Sequence, residues 1–271
     1  MRWVNVRPRR GSAILLGILP MLVALIAYLV ASAVRHAGNS ADKILPTPLA
    51  MIEAMRGLIV DVDPLSGRIA FWADTAASLE RLGLGLGICA LSALLVGMVL
   101  GVLPAARATF GPLVTTIAVI PPIALLPILF IVFGLGETAK VALIVIGVTP
   151  FLIRDLADHI ASLPQEQIIK AQTLGASSLQ LALRVALPQA LPRLIAGVRL
   201  SLGPAWVYLI SAEAIAADTG LGYRIFLVRR YLSMDIIIPY VAWIALLAIA
   251  IDVILMQISR RGFAWAHQVA R

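Results

Sequence analysis

Cysteine is almost missing from this chain. Its one residue, Cys89, lies inside an apolar run, which excludes a disulfide framework and a cysteine-based metal site. The three histidines, His36, His159 and His267, are scattered, so no metal site is expected. Charge is scarce as well. Charged residues fill 13% of the 271 positions and hydrophobic ones 61%. Soluble domains hold about 25% and about 45–50%, so the composition is that of a polytopic membrane protein. There is no clustered Ser/His, paired Asp or His-Glu-x-x-His pattern at membrane depth, which argues against an intramembrane enzyme. "GLGLG" at Gly83–Gly87 is followed by no Gly-Lys-Ser/Thr and has no βαβ context, so it is not a phosphate loop. Acidic residues are fewer than basic ones and the net charge is +8. In a membrane chain that excess sets orientation, and no nucleic-acid partner is expected.

Long hydrophobic runs are what the sequence has in abundance. "AILLGILPMLVALIAYLVASAV" follows the basic stretch "MRWVNVRPRR". At about 22 residues it is longer than the apolar core of a signal peptide and long enough to cross a bilayer. It reads as an uncleaved helix with its N-terminus in the cytoplasm. Five further apolar segments lie near 82–103, 113–133, 139–157, 194–217 and 237–258. The expected fold is all-α and polytopic, with about six transmembrane helices. Both termini are placed in the cytoplasm, the second marked by "SRRGFAWAH".

The organisation read from this pattern is a tail and first helix at 1–35 and an extracytoplasmic loop at 36–80. A transmembrane core follows at 81–260, with a cytoplasmic loop at 164–192, then a cytoplasmic tail at 261–271. "YRIFLVRRY" places Arg224, Arg229 and Arg230 on the outer side, against the charge rule. Five spans with a re-entrant segment is therefore the alternative left open. In the outer loop, Thr47-Pro48 can start a short helix with Leu49, Ile52, Met55 and Leu58/Ile59 at helical spacing, lying along the membrane surface. Gly83, Gly85, Gly87, Gly97 and Gly101 read as close helix packing in lipid.

Two spans carry features that packing alone leaves open. Pro121, Pro122 and Pro127 break the hydrogen-bond ladder of the third span. That helix is either kinked for packing or bent around a translocation path. The fifth span contains Arg199 and Glu213, and ionisable groups inside a membrane are functional candidates by default. Fourteen residues put about 21 Å between them along a helix, so they do not pair with each other. Arg199 can snorkel to the cytoplasmic end. Glu213, with Ser211 beside it, serves interhelical hydrogen bonding or substrate contact. In the second case it would favour a cation or a neutral hydrogen-bonding solute over an anion. Trp206 and Tyr208, beside Gly203-Pro204, suit a cavity wall or ordinary packing. Arg154, Asp155 and Asp158 read as anchors of the cytoplasmic loop.

The half-polar segment "EQIIKAQTLGASSLQLALRVALPQALPRL" is the least membrane-like part of the core. Leu163-Pro164 ends one helix, and Gln165 to Leu174 can form a short one. Gly175 can take positive φ and turn the chain. A second helix is expected from Ser177 through about Ala186, stopped by Pro188, with Pro192 starting the next span. Each helix is about ten residues or fewer, too short to cross a bilayer. The product is an interfacial loop or a rigid knob offered to a cytoplasmic partner.

This segment resembles the EAA loop of binding-protein-dependent ABC importer permeases: Glu-Ala-Ala, three residues, Gly, nine residues, Ile-x-Leu-Pro. Ile169, Lys170 and Ala171 stand at the Glu-Ala-Ala places, Gly175 at the glycine, and Val185, Leu187 and Pro188 at the Ile, Leu and Pro places. The first Glu and the first Ala of the pattern are lost. "ILPTP", "SLERLGLG", "PPIALLPILFIVFGLGETAK", "KAQTLGAS" and "AEAIAADTGLGY" are similar to the nitrate, taurine, sulfonate and bicarbonate branch. "LSLGPAWVYLISAEAIAADTGLGYRIFLVRRY" resembles permeases associated with urea or guanidine carboxylase systems. The resemblance implies a type I importer fold, a second permease copy, two cytoplasmic ATPase subunits and an extracytoplasmic solute-binding protein. It implies that this chain binds no cofactor, ATP and Mg being used by the partner ATPase. Coupling would run through Ile169, Lys170, Ala171, Leu174, Gly175, Ala176, Val185, Leu187 and Pro188. Glu213, Ser211, Trp206, Tyr208, Pro121, Pro122 and Arg199 are the candidate path residues. An ATP-independent carrier or channel is the alternative function.

Overall fold

The computed structural model describes residues 10–39, 42–62 and 67–266, all but a few of them in helices or their connections. The basic stretch before Arg10 and His267 lie outside the described residues. No strand occurs among them, only one isolated bridge between Val62 and Ile69. The first helix, α1 (Arg10–Gly38), is apolar on every side and exposed along almost its whole length. Its end is tied to the following loop, where Tyr28 Oη donates to Pro46 O at 2.7 Å. Asp42 accepts from Ile44 N–H at 3.0 Å and pairs with Arg35. These two contacts hold its carboxyl below the ordinary carboxylate range.

Helix α2 (Pro48–Val60) starts as its sequence predicts. Thr47 Oγ1 accepts from Ala50 N–H, and Pro48 takes the first turn, where its missing N–H costs nothing. Met55, Leu58 and Ile59 pack on the core, while Leu49 and Ile52 stay exposed. Helix α3 (Ala70–Val102) begins well before the apolar run that predicts it, because its first turns are polar yet buried: Asp74, Thr75, Ser78 and Arg81.

The third apolar segment is two helices rather than one. α4 (Pro104–Val119) and the pair formed by a 3₁₀ turn at Pro122–Leu125 and α5 (Leu126–Phe133) meet at 84°. Pro121 and Pro122 remove consecutive amide donors at the corner, so no ladder bridges it. α6 (Glu137–Ala161) then runs through the centre of the bundle against α3 and α9.

The contact between α3 and α6 fixes how the chain threads. A Cβ at Gly85 would meet Ile144, one at Gly97 would meet Leu156, and one at Gly101 would lie 2.6 Å from the Cβ of Ile160. The partners advance in the same order on both helices, so α3 and α6 run parallel. A re-entrant α4–α5 would return the chain to the side where α3 ended and make α6 antiparallel. The bent pair is therefore a broken span. Among the described residues four helices are long and apolar enough to cross a membrane, and the bent pair makes five. The 25-residue α6 completes the six by length, about 37 Å, although Lys140, Arg154, Asp155 and Asp158 keep its composition less apolar.

After α6 come α7 (Gln165–Thr173), a turn at Gly175 with φ +82°, and α8 (Ser178–Leu181). Ser177 and Gln180 form a capping box there. Pro188 does not stop this helix, contrary to the sequence expectation, and Pro192 starts nothing. A π-helical stretch, Ala182–Ala186, carries α8 directly into α9 (Leu187–Ala216), giving one helix of 39 residues. Leu187 N–H reaches back five residues to Ala182 O. This wider turn makes room for Pro188, whose ring would clash with the Arg184 carbonyl in a regular α-turn. Short α10 (Leu221–Arg229) and long α11 (Met234–Gly262) complete the chain.

Candidate functional site

Two constructions stand at opposite ends of the bundle. At one end is the loop after α6. Ile169 is 55% and Leu174 80% exposed, and Leu179 and Leu183 also face outward, leaving an apolar surface with nothing packed on it. Lys170 and Gly175 are exposed beside it, whereas Ala171 and Ala176 are half-buried. The inner side of the loop is seated. Ile168, Ala176 and Val185 line a cavity of about 300 Å³ against Gly101 and Ile160. Gln189 Nε2 donates to Gln167 Oε1 and Val185 O, both at 3.0 Å, fastening α7 to the long helix. Leu187 and Pro188 are half-buried within that helix. Two ion pairs brace this end: Arg193 with Asp155, at 2.9 Å between Nε and Oδ2, and Arg107 with Asp158. Asp155 and Asp158 thus anchor the loop's base, tying α6 to α9 and to α4.

At the other end sits a buried network of charge that closes the α9–α10 connection. Glu213 has no exposed surface. Its Oε1 accepts from Ser78 Oγ at 2.8 Å and from Arg81 Nη1 at 2.7 Å, and its Oε2 accepts from Gly222 N–H at 2.9 Å. Asp74 accepts from Gly220 N–H at 2.9 Å and from Arg224 Nε at 2.7 Å, and Leu221 N–H donates to Ser78 Oγ at 2.8 Å. The first amides of α10 are thus capped by side chains of α3 and α9, with negative charge at a helix N-terminus where the dipole favours it. Arg81 also donates to Thr219 O at 2.7 Å and holds Glu137, which in turn accepts from Lys140 Nζ at 2.9 Å. Three carboxylates, Asp74, Glu137 and Glu213, face Arg81, Lys140 and Arg224, so the network is balanced. Gly220 is at φ +134°, and a Cβ there would lie 2.6 Å from the Glu213 carboxyl carbon. No other residue fits that approach.

The sequence singles out Glu213 but not its partners. Their signal was present: Asp74, Ser78 and Arg81 recur at i, i+4 and i+7, one polar face of a helix. It lies in a stretch expected to be outer loop. Arg199 likewise has an unanticipated partner. It reaches Asp252 of α11 in a two-pronged pair at 2.8 and 2.9 Å.

The other candidate path residues fall into separate places. Tyr208 lies over Gly147 beside Pro122, since a Cβ on Gly147 would sit 2.5 Å from the Tyr208 ring and 3.0 Å from Pro122. The α9 ring is wedged at the corner of the broken span. Trp206 is buried and its indole N–H has no partner among the described residues. Ser211 Oγ donates to Val207 O of its own helix at 2.7 Å, and Pro121 is exposed. Among the described residues no cluster of His, Cys, Asp or Glu has metal-holding geometry.

An all-helical bundle with a broken span, an amphipathic helical loop at one end and a charge-closed connection at the other defines a polytopic transport component. Residues 93–263 match the family described as binding-protein-dependent transport system inner membrane component, and the chain belongs to it. It is 37% identical to the taurine transport system permease protein TauC of Escherichia coli strain K12, over 73% of this chain and 72% of that protein. To the bicarbonate transport system permease protein CmpB of Synechococcus elongatus it is 28% identical, over 87% and 86%. To the putative aliphatic sulfonates transport permease protein SsuC of Escherichia coli it is 32% identical, over 54% and 56%. A solved structure of the MetNI methionine ABC transporter superposes with a TM-score of 0.60 at 24% identity, covering 77% of this chain and 98% of that one. The likeness confirms the helical fold. The chain is a permease subunit of the taurine, sulfonate and bicarbonate type of ABC transporter, a non-catalytic membrane component.

Proposed function

We propose that this permease lines the path for a small oxyanion-bearing solute of the taurine or sulfonate kind. A separate cytoplasmic ATPase, using ATP and Mg, drives it through the loop at 164–192. The observation that supports coupling is the apolar surface of Ile169, Leu174, Leu179 and Leu183. It stands clear of the bundle on a loop whose inner side is packed and ion-paired. Unpartnered apolar area of this kind at a membrane's aqueous face marks a docking site. Ile169 occupies the place of the family's glutamate, so the contact at the head of the loop is apolar here.

The solute class is supported by the relatives, a taurine permease at 37% identity among them. Guanidinium or urea has less support. The cation preference depended on Glu213 facing a path, and that carboxylate is spent on Ser78, Arg81 and Gly222. Two copies of the permease, two ATPases and an extracytoplasmic binding protein form the assembly, with both chain ends in the cytoplasm.

The test is a mild-detergent purification of the tagged permease from its native membrane, with co-purifying proteins counted. A P-loop ATPase at one copy per permease is expected. Leu174→Glu should reduce its recovery, and the proteoliposome assay should lose ATP-dependent taurine or sulfonate uptake. Solute uptake without any ATPase would instead establish the carrier reading.

A further inference from the structure

A third feature belongs to neither construction. Between α4 and α6, at the end of the bundle that carries the loop, lies a pocket of about 340 Å³. Arg107, Arg154 and Asp158 supply its charged lining, Gly111 and Thr115 line it along α4, and the buried Leu100 of α3 closes it beside Ala157. Arg107, Gly111 and Thr115 recur every fourth residue and so form one stripe of α4. The lack of a side chain at Gly111 keeps that stripe open.

The charges do not cancel. Arg107 pairs with Asp158 and donates to Ala157 O at 3.3 Å, whereas Arg154 makes no ion pair or side-chain hydrogen bond among the described residues. One guanidinium is left over at the boundary between apolar and aqueous surfaces. An exposed apolar face of the same helix, Phe110, Leu113 and Ile117, adjoins it.

We propose that this pocket binds an anionic phospholipid, its phosphate at Arg154 and Arg107 and an acyl chain along the Gly111–Thr115 stripe. Guanidinium groups recognise phosphate oxygens in a two-pronged geometry. Basic pockets between transmembrane helices at the cytoplasmic side suit such headgroups. The apolar lining beside the charged groups, Leu100, Pro112, Val114 and Ala157, selects a lipid over a free oxyanion. A bound lipid would bridge α4, the first limb of the broken span, to α6, whose end leads into the loop. The inference requires only that the chain lies in a bilayer, so it stands apart from the coupling proposal.

The test uses full-length permease in phosphatidylcholine nanodiscs titrated with phosphatidylglycerol, with retained lipid counted by native mass spectrometry. Arg154→Gln should weaken phosphatidylglycerol retention about fivefold, the factor that about 1 kcal/mol per basic side chain corresponds to. Arg260→Gln, a cation on α11 outside the pocket, should leave it unchanged. Glycerol 1-phosphate, which has the headgroup chemistry without acyl chains, should fail to displace the lipid. Equal losses in the two variants would mean general surface attraction and overturn the proposal. Displacement by glycerol 1-phosphate would overturn the lipid and leave a free-oxyanion site.

Discussion

A carboxylate with no water contact, such as Glu213, is tolerated only when its charge and lone pairs are all met. Removing one partner is then costly, because the other stays buried. Glu213→Ala and Arg81→Ala should each destabilise the permease by about 3–5 kcal/mol, read as a large fall in thermal midpoint in detergent. Transport by Glu213→Gln separates the roles: normal uptake with reduced thermal stability identifies a structural carboxylate. Gly220→Ala should resemble the Arg81 variant, since its Cβ would occupy space held by the Glu213 carboxyl group. At this scale the sequence was half legible. A lone Glu in an apolar run announces itself, but its side-chain partners Ser78 and Arg81 sit 135 and 132 residues away and only the fold joins them.

Between α3 and α6, glycine has two distinct roles. Gly85 and Gly101 face Ile144 and Ile160 at distances no Cβ tolerates, while Gly83 and Gly87 face open space. Gly101→Ala should therefore force the helices apart and cost about 1–3 kcal/mol. Gly83→Ala and Gly87→Ala should be neutral or stabilise by up to about 1 kcal/mol, because alanine is the better helix former. Thermal midpoints of the three single variants check the contrast. Glycine spacing announced close packing without saying which residues made it. The short helix, the glycine turn and the broken third span were all legible, because proline, glycine and capping residues act locally. The continuation through Pro188 was not, since local rules read that proline as a stop. The wide turn that accommodates it packs against helix α3, a contact that only the fold supplies.

For the molecule as a whole, the parallel run of α3 and α6 fixes the threading, and one labelling experiment orients it. Cys89, the single cysteine, is fully buried, so an introduced thiol can be read without first removing it. Lys43→Cys should react with a membrane-impermeant maleimide on intact cells. Leu174→Cys should react only after permeabilisation. The opposite pattern would invert the proposed orientation. The exposed faces of α1, α5 and α9 meet lipid or neighbouring chains, which hydropathy predicts as apolar surface without naming the occupant.

The unbroken helix from Ser178 to Ala216 is longer than a bilayer requires. Its 39 residues span about 58 Å, against a hydrocarbon core of about 30 Å. The surplus places Leu179 and Leu183 in the aqueous phase while Glu213 stays locked at the far face. Between them lie the π-helical turn at Ala182–Ala186 and three prolines, Pro188, Pro192 and Pro204, the points at which a helix bends. A sideways push on the protruding arm therefore reaches the opposite surface as a change of tilt shared with bending at those points.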